Sequence, residues 1–249
     1  DYTLGGWPTA AVYAVFALAT LAAWSGEPKK KRIFADVITP EEYSLLLTDE
    51  VRRAVAAAVQ DMISGVPMSR LVQGDVGSGK TLVAAACIWF AHENDCQSAF
   101  MAPTEILTEQ HEHTLRTLLE PFGIRVGRLT GAMTARQKRE VKEALAGGLL
   151  DVVVGTHALI SDSVTFFRLG LVITDEQHRF GVAQRLALRT RPESALVPHL
   201  LMLSATPIPR TLAMSYLADL DVSVIDELPP GRQPVQTVCV DCLLYTSPS

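Results

Sequence analysis

The sequence predicts an α/β fold: a mainly parallel sheet covered by helices on both faces, preceded by an apolar helical segment at the N-terminus. From residue 70 onward, short apolar runs alternate with helical patterns, and such alternation is typical of parallel strands joined by crossover helices. A glycine-rich string follows the first of these runs. The chain has 249 residues, of which 48% are hydrophobic, so it is long enough to bury one substantial core.

The first element of this domain is expected to be an amphipathic helix from Thr48 to Ile63. Thr48 can cap the helix, because its hydroxyl can accept a hydrogen bond from a free backbone N–H of the first turn. The apolar residues Val51, Val55, Ala58, Val59 and Met62 recur at helical spacing. They would face the core.

Seven strands and five further helices are expected to follow. Each strand is a short apolar run bounded by turn residues, and each helix carries the longer amphipathic period. The predicted strands are residues 70–73, 97–102, 125–129, 151–155, 169–174, 199–203 and 222–225. The predicted helices are residues 81–92, 105–119, 135–146, 182–188 and 211–217. In such a sheet, ligands bind at the carboxyl ends of the strands.

The strongest functional signal is the string GDVGSGKT at residues 74–81. It lies between a predicted strand and a predicted helix, which is the context a phosphate-binding loop requires. The glycines permit the sharp turn, Lys80 can reach the β- and γ-phosphates, and Thr81 can hold Mg²⁺. An ordinary glycine-rich turn would leave Lys80 and Thr81 unexplained. The predicted nucleotide-binding residues are Gly74, Gly77, Ser78, Gly79, Lys80 and Thr81.

A second signal is the apolar run that ends in Asp175 and Glu176. This is the Walker B arrangement, in which Asp175 would hold Mg²⁺ opposite Thr81 and Glu176 would orient or deprotonate the attacking water. Two carboxylates at a strand end are also common in solvated turns. Their position after a phosphate-binding loop in the same alternating pattern favours the catalytic interpretation.

A third signal is the string LSATP at residues 203–207, which alone would indicate only a strand that stops at a proline. Together, GSGKT, DEQH and SAT resemble the first RecA-like domain of a superfamily 2 helicase. Longer strings resemble the RecG family of bacterial branched-DNA helicases over about residues 47–238. These strings are residues 73–81, 102–107, 155–160, 175–182, 204–211 and 225–232.

The resemblance implies a RecA-like P-loop domain of an ATP-driven motor. Such a motor uses ATP with Mg²⁺ and remodels stalled forks and Holliday-type junctions in DNA repair and recombination. It implies that Lys80, Asp175 and Glu176 serve hydrolysis. The residues implied to couple hydrolysis to DNA movement are Gln177, His178, Ser204 and Thr206. Those implied to face the DNA strand are Pro103, Thr104, Glu105, Gly155, Thr156 and His157.

Some features leave alternatives open. Thr104 could be a helix cap, a DNA contact or both. The basic residues Arg136, Lys138, Arg139 and Lys142 could follow DNA phosphates or form a solvated helix face. Val51 stands where the resemblance places an adenine-reading glutamine. Two other functions remain: a transcription-repair coupling factor-like DNA translocase, and a membrane-anchored nucleotide-binding module without motor activity.

The two ends of the chain differ from the region between them. Residues 2–26 carry no charge, residues 7–24 are almost wholly apolar, and the basic string KKKR follows at 29–32. This is the pattern of a membrane span with a basic flank, or of a segment foreign to the domain. We therefore expect three parts: residues 1–46, an apolar helix plus basic linker; residues 47–238, the ATP-binding domain; and residues 239–249, an unstructured tail of artefactual origin. The family's wedge domain and second RecA-like domain, with its arginine finger, are expected outside this chain.

Net charge and cysteine content bear on the partners of the protein and on its cellular compartment. The net charge is −5, so no global basic field attracts nucleic acid, although a local basic track would suffice for a motor. Four cysteines without a disulfide framework indicate a reducing compartment, and we expect a cytoplasmic protein. Cys239 and Cys242 form a single CxxC pair, without the second pair that a zinc site needs.

Overall fold

The structure is a computed structural model that describes residues 48–161, 163–175, 197–206 and 220–226. The strands in these ranges are β1 (Ser69–Gly74), β2 (Gln97–Met101), β3 (Val126–Leu129), β4 (Val152–Gly155), β5 (Leu169–Asp175), β6 (His199–Ser204) and β7 (Asp221–Ile225). The helices are α1 (Asp49–Ile63), α2 (Lys80–Glu93), α3 (Glu105–Leu119) and α4 (Ala135–Ala146). Two short 3₁₀ turns follow α3 and β4, at Glu120–Phe122 and His157–Ile160.

The seven strands form one sheet in the order β3-β4-β2-β5-β6-β1-β7. Every strand pair in this sheet is parallel, which confirms the predicted fold class. Because all strands run the same way, their carboxyl ends share one edge. β6 lies between β5 and β1 at this edge, with Ser204 opposite Gln73 and Leu203 opposite Asp175.

Helices cover both faces of the sheet. On one face, α1, α2 and α3 pack over a core that includes Val55, Ile88 and Leu115. On the other, α4 contributes Leu145 to a second cluster around Met101 and Met202. Helix α2 is buried from residue 83 to residue 91 without a break, as expected of a helix in the middle of a layer. The site edge of the sheet is thus held by cores on both sides.

Threonine side chains begin three of the helices. Thr48 accepts a hydrogen bond from the Val51 N–H, and Thr104 accepts one from the Leu107 N–H. Thr134 forms a reciprocal capping box with Gln137. These caps satisfy backbone donors that the first turn leaves without helical partners. The predicted cap at Thr48 is confirmed, and α3 and α4 have the predicted bounds.

The strand bounds differ from the predicted ones by single residues. Ala102, Arg125 and Asp151 lie just outside the strands expected to contain them. At Arg125 a side chain takes the place of a strand partner, since the Arg125 N–H donates to Asp151 Oδ2 at 2.8 Å. The predicted helices at 182–188 and 211–217, and the segments 1–46 and 239–249, lie outside the described residues. None of the helices in the described ranges combines the length and the apolar character that crossing a membrane requires.

Candidate functional site

The loop of residues 74–81 connects β1 to α2, and none of its three glycines can be replaced without strain: Gly77, like Gly79, has a positive φ, of +84°. A Cβ on Gly74 would lie 2.6 Å from Ser78 Oγ and 2.7 Å from the carbonyl oxygen of Ile225. Gly79 has a φ of +100°, in the left-handed region that residues with a Cβ rarely adopt. The sequence therefore forces a tight turn in which the backbone can approach a ligand closely.

Lys80 folds back over this loop. Its Nζ donates hydrogen bonds to the carbonyl oxygens of Gly74 at 2.7 Å and Asp75 at 2.8 Å. Both acceptors are neutral, so the contacts orient the ammonium group without neutralising its charge. A positive charge is thereby fixed at the carboxyl end of β1, where it can attract an anion.

The start of α2 adds further donors. Its N-cap residue, Gly79, makes no side-chain capping hydrogen bond, so the first turn presents backbone N–H groups and the positive end of the helix dipole. Ser78 is only 5% exposed, and its Oγ has no hydrogen-bond partner among the described residues. An uncapped helix start, an unpaired buried hydroxyl and a lysine together fit a polyphosphate.

Asp175 ends β5 at the same edge, two strands away from β1, a separation of about 10 Å at the usual strand spacing. Asp175 is buried, and its Oδ2 lies 2.8 Å from Nε2 of His111 in α3. In the described part of the chain, no group of three or more His, Cys, Asp or Glu side chains could hold a metal ion. A Mg²⁺ ion that shares protein and phosphate oxygens needs no such group, so Thr81 and Asp175 fit a nucleotide-bound cation.

His111 was not predicted as a site residue. Its ring lies against Phe100, with centroids 4.6 Å apart, and its imidazole reaches Asp175 across 64 positions of sequence. No local pattern links residues so distant in the chain. The only available signal was a histidine on the inner side of an amphipathic helix that follows a strand.

Ser204 and Thr206 lie at the end of β6, between the strands that carry the phosphate-binding loop and Asp175. Ser204 Oγ and Thr206 Oγ1 are 3.1 Å apart, and the Thr206 N–H donates to Ser204 Oγ at 3.3 Å. The two hydroxyls predicted to act together thus form one hydrogen-bonded unit. Glu176, Gln177 and His178 lie outside the described residues.

The residues predicted to face DNA form a second group. Pro103, Thr104 and Glu105 follow β2, and Gly155 and Thr156 end and follow β4, the neighbouring strand. The Ala102 N–H donates to the Gly155 carbonyl oxygen at 2.9 Å, which joins the two turns. His157 begins the 3₁₀ turn after β4.

The side chains of this second group are partly used within the protein. Thr104 caps α3, and Glu105 Oε1 accepts a hydrogen bond from the Ala132 N–H at 2.8 Å. Thr156 is buried. What this part of the edge offers a ligand is therefore mainly backbone and a helix N-terminus, which suit phosphates rather than bases.

The basic residues of α4 each have a partner on the surface. Arg136 pairs with Glu140, and Arg139 pairs with Glu143. The remaining contacts run from Lys138 Nζ to the Gly131 carbonyl oxygen and from Lys142 Nζ to Ser163 Oγ. This arrangement favours the interpretation of a solvated helix face over a phosphate track.

Comparison with known proteins places the chain among helicases. A family profile described as DEAD/DEAH box helicase matches residues 52–215. The ATP-dependent DNA helicase RecG of Haemophilus influenzae is 55% identical over 194 residues, which make up 78% of this chain and 28% of that protein. RecG of Thermotoga maritima is 51% identical over 194 residues, 78% of this chain and 24% of that protein. The chain spans about a quarter of the length of these curated relatives.

Solved structures agree on the fold. A structure of RecG bound to a three-way DNA junction matches with a TM-score of 0.66 and 45% identity, over 76% of this chain and 25% of that one. A DNA-bound structure of the helicase MrfA matches with a TM-score of 0.54 at 18% identity, over 73% of this chain and 30% of that one. The second likeness concerns the fold alone.

Proposed function

This chain belongs to the DEAD/DEAH box helicase family, and we propose that it is the ATP-binding half of a RecG-like DNA helicase motor. The longer protein would remodel branched DNA, such as stalled forks and Holliday-type junctions, in repair and recombination. The observation that carries the proposal is the order of groups along the sheet edge. The phosphate-binding loop, the Ser204–Thr206 pair and Asp175 lie at the carboxyl ends of the adjacent strands β1, β6 and β5.

The nucleotide-binding half of this edge would hold ATP and Mg²⁺. Backbone N–H groups at the start of α2 and the Lys80 ammonium would bind the β- and γ-phosphates, with Gly74, Gly77, Ser78 and Gly79 shaping the turn. Thr81 and Asp175 would hold Mg²⁺, which supplies positive charge against the phosphate oxygens when bound. We assign Glu176 to orienting the attacking water and accepting its proton.

The other half of the edge would contact the DNA backbone. Turns after β2 and β4, with Pro103, Thr104, Glu105, Gly155, Thr156 and His157, would bind phosphates through backbone groups. Ser204 and Thr206, at the end of β6 on the nucleotide side, would pass the state of the nucleotide to the DNA side together with Gln177 and His178. A hydrogen-bonded hydroxyl pair next to the strand of Asp175 suits this role, because it can exchange partners at little cost.

The rest of the motor would come from the longer protein. We propose that residues 47–238 form the ATP-binding domain and that a second RecA-like domain completes the site with an arginine finger. A wedge domain would engage the junction. Residues 1–46 and 239–249 would not belong to the ATP-binding domain. The two free cysteines of the described ranges, Cys87 and Cys96, support a cytoplasmic setting.

The nucleotide site is tested by equilibrium binding of a fluorescent ATP analogue to the chain in Mg²⁺. Lys80→Ala should abolish binding, because it removes the only side-chain cation of the loop, whereas Lys142→Ala on the solvated face of α4 should bind like wild type. Equal binding by wild type and Lys80→Ala would refute the nucleotide site.

The motor is tested by ATP hydrolysis of the full-length protein, which should be stimulated more strongly by a three-way junction than by linear duplex DNA. An equal stimulation would refute the preference for branched DNA.

A further inference from the structure

A side-chain contact between two described residues joins the two halves of the sheet edge. β2 and β5 are neighbours, but the turn after β2 leads into α3 on the side proposed to face DNA, whereas Asp175 at the end of β5 belongs to the proposed nucleotide side. Across this boundary, His111 Nε2 lies 2.8 Å from Asp175 Oδ2. Both side chains are largely shielded from water, at 15% and 12% exposure. A shielded hydrogen bond to a carboxylate is stronger than a solvated one.

Within the described residues, the geometry leaves one carboxylate oxygen of Asp175 for a ligand. Among the described residues, Asp175 Oδ1 accepts no hydrogen bond, while Oδ2 is committed to His111. The imidazole cannot swing away easily, because its ring packs against the fully buried Phe100. The histidine therefore restricts the carboxylate to one orientation, with Oδ2 held toward α3.

We propose that His111 is a positioning residue that holds Asp175 so that Oδ1 is presented to the nucleotide-bound cation. This inference rests on the proposed nucleotide site and adds a residue to it. Groups that hydrogen-bond a metal-ligating carboxylate reduce the entropy it loses on binding, and removing them typically lowers metal affinity about 10- to 100-fold. It also ties the orientation of Asp175 to α3, the helix that Thr104 caps.

Two variants separate positioning from packing. His111→Phe keeps an aromatic ring against Phe100 but removes the hydrogen bond, whereas His111→Gln keeps an N–H donor and gives up the ring. His113→Ala is the matched control, since His113 is an exposed histidine on the same helix. Thermal unfolding of each variant checks that the fold is retained, and His111→Ala replaces the phenylalanine variant if that one does not fold.

The measurement is Mn²⁺ affinity of the full chain in the presence of saturating ADP, read from the electron paramagnetic resonance signal of free Mn²⁺. We expect His111→Phe to weaken Mn²⁺ binding about 10- to 100-fold. The Mn²⁺ affinities of His111→Gln and His113→Ala should be close to that of wild type. ADP affinity, measured with a chelator that removes free metal ions, should be unchanged in all three variants. Wild-type Mn²⁺ affinity in His111→Phe would overturn the inference, as would an equal loss in the glutamine variant. Failure of the wild-type chain to bind ADP at all would instead overturn the proposed nucleotide site.

Discussion

Val51 of α1 lies directly beneath Gly79 of the phosphate-binding loop: a Cβ built on Gly79 would be 2.9 Å from Val51 Cγ2. Val51 is only 2% exposed. At the position where the resemblance to RecG places an adenine-reading glutamine, this chain therefore has a packing residue. The Val51 side chain leaves no room for a Cβ at Gly79, the last glycine of the loop. The φ of +100° independently requires glycine there.

Gly79→Ala should therefore distort the loop as well as strain the backbone. We expect a loss of about 1–3 kcal/mol in the free energy of unfolding from the left-handed conformation, and loss of nucleotide binding from displacement of the loop. Gly65→Ala is the control, because Gly65 also has a positive φ but no atom within 4 Å of its added Cβ. Urea unfolding and binding of a fluorescent ATP analogue measure the two effects. Retained nucleotide binding in Gly79→Ala would contradict the role of the contact.

Cys87 of α2 should not react with alkylating reagents in the folded protein. Burial raises the pKa of the Cys87 thiol to about 12, against a smaller lowering by the charge of Arg70. At pH 8 the reactive thiolate would then be about one part in 10,000. We expect iodoacetamide, followed by peptide mass spectrometry, to modify the partly exposed Cys96 in native protein and Cys87 only in urea. Native labelling of Cys87 at the rate of Cys96 would show that α2 opens locally.

Local patterns predicted most of this fold because its elements carry strong local signals. Apolar runs bounded by turn residues located all seven strands, and the Thr48, Thr104 and Thr134 positions start helices through short-range hydrogen bonds. Contacts between distant residues were different. The His111–Asp175 hydrogen bond depends on which strands are neighbours in the sheet. The local spacing of apolar residues does not determine that strand order.

Buried polar residues inside strands also escaped prediction. Arg70, read simply as the first residue of a strand, is only 8% exposed. Its Nε donates to Asp61 Oδ2 of α1 at 2.5 Å, and its Nη1 donates to Ser223 Oγ of β7 at 2.8 Å. Local sequence could not supply these partners, because one precedes the strand in a helix and the other lies 153 positions away.

Removing this arginine alone should be costly. Arg70→Leu leaves the Asp61 carboxylate without its ion-pair partner, and breaking a buried pair costs about 3–5 kcal/mol; the partial exposure of Asp61 places the expected loss at or below the lower end of that range. Arg70→Leu with Asp61→Leu should recover part of the loss, because no charge is left unpaired. A urea-unfolding double-mutant cycle measures this coupling. Strictly additive losses would mean that the pair contributes nothing beyond its separate side chains.

A second buried carboxylate should make stability depend on acid pH. Asp151 Oδ2 accepts hydrogen bonds from the Arg125 N–H and Nε, both at 2.8 Å, and Oδ1 accepts one from Nη2 at 2.9 Å. Burial alone would raise the Asp151 pKa, but the Arg125 hydrogen bonds and the charges of His92 and Arg125 outweigh it, so the pKa lies below its ordinary value of 3.8. The carboxylate is thus favoured more in the folded than in the unfolded chain.

The sign of the pH effect follows from that lowered pKa. The stabilisation is fully present above the unfolded-state pKa and is lost as pH falls through the folded-state pKa. We expect Asp151→Asn to be less stable than wild type at pH 7, and the gap in unfolding free energy to narrow as pH falls below about pH 4. Glu140→Gln, which breaks an exposed ion pair on α4, should show almost no gap at any pH. A gap for Asp151→Asn that widens as pH falls below about pH 4 would show that the folded state raises this pKa instead.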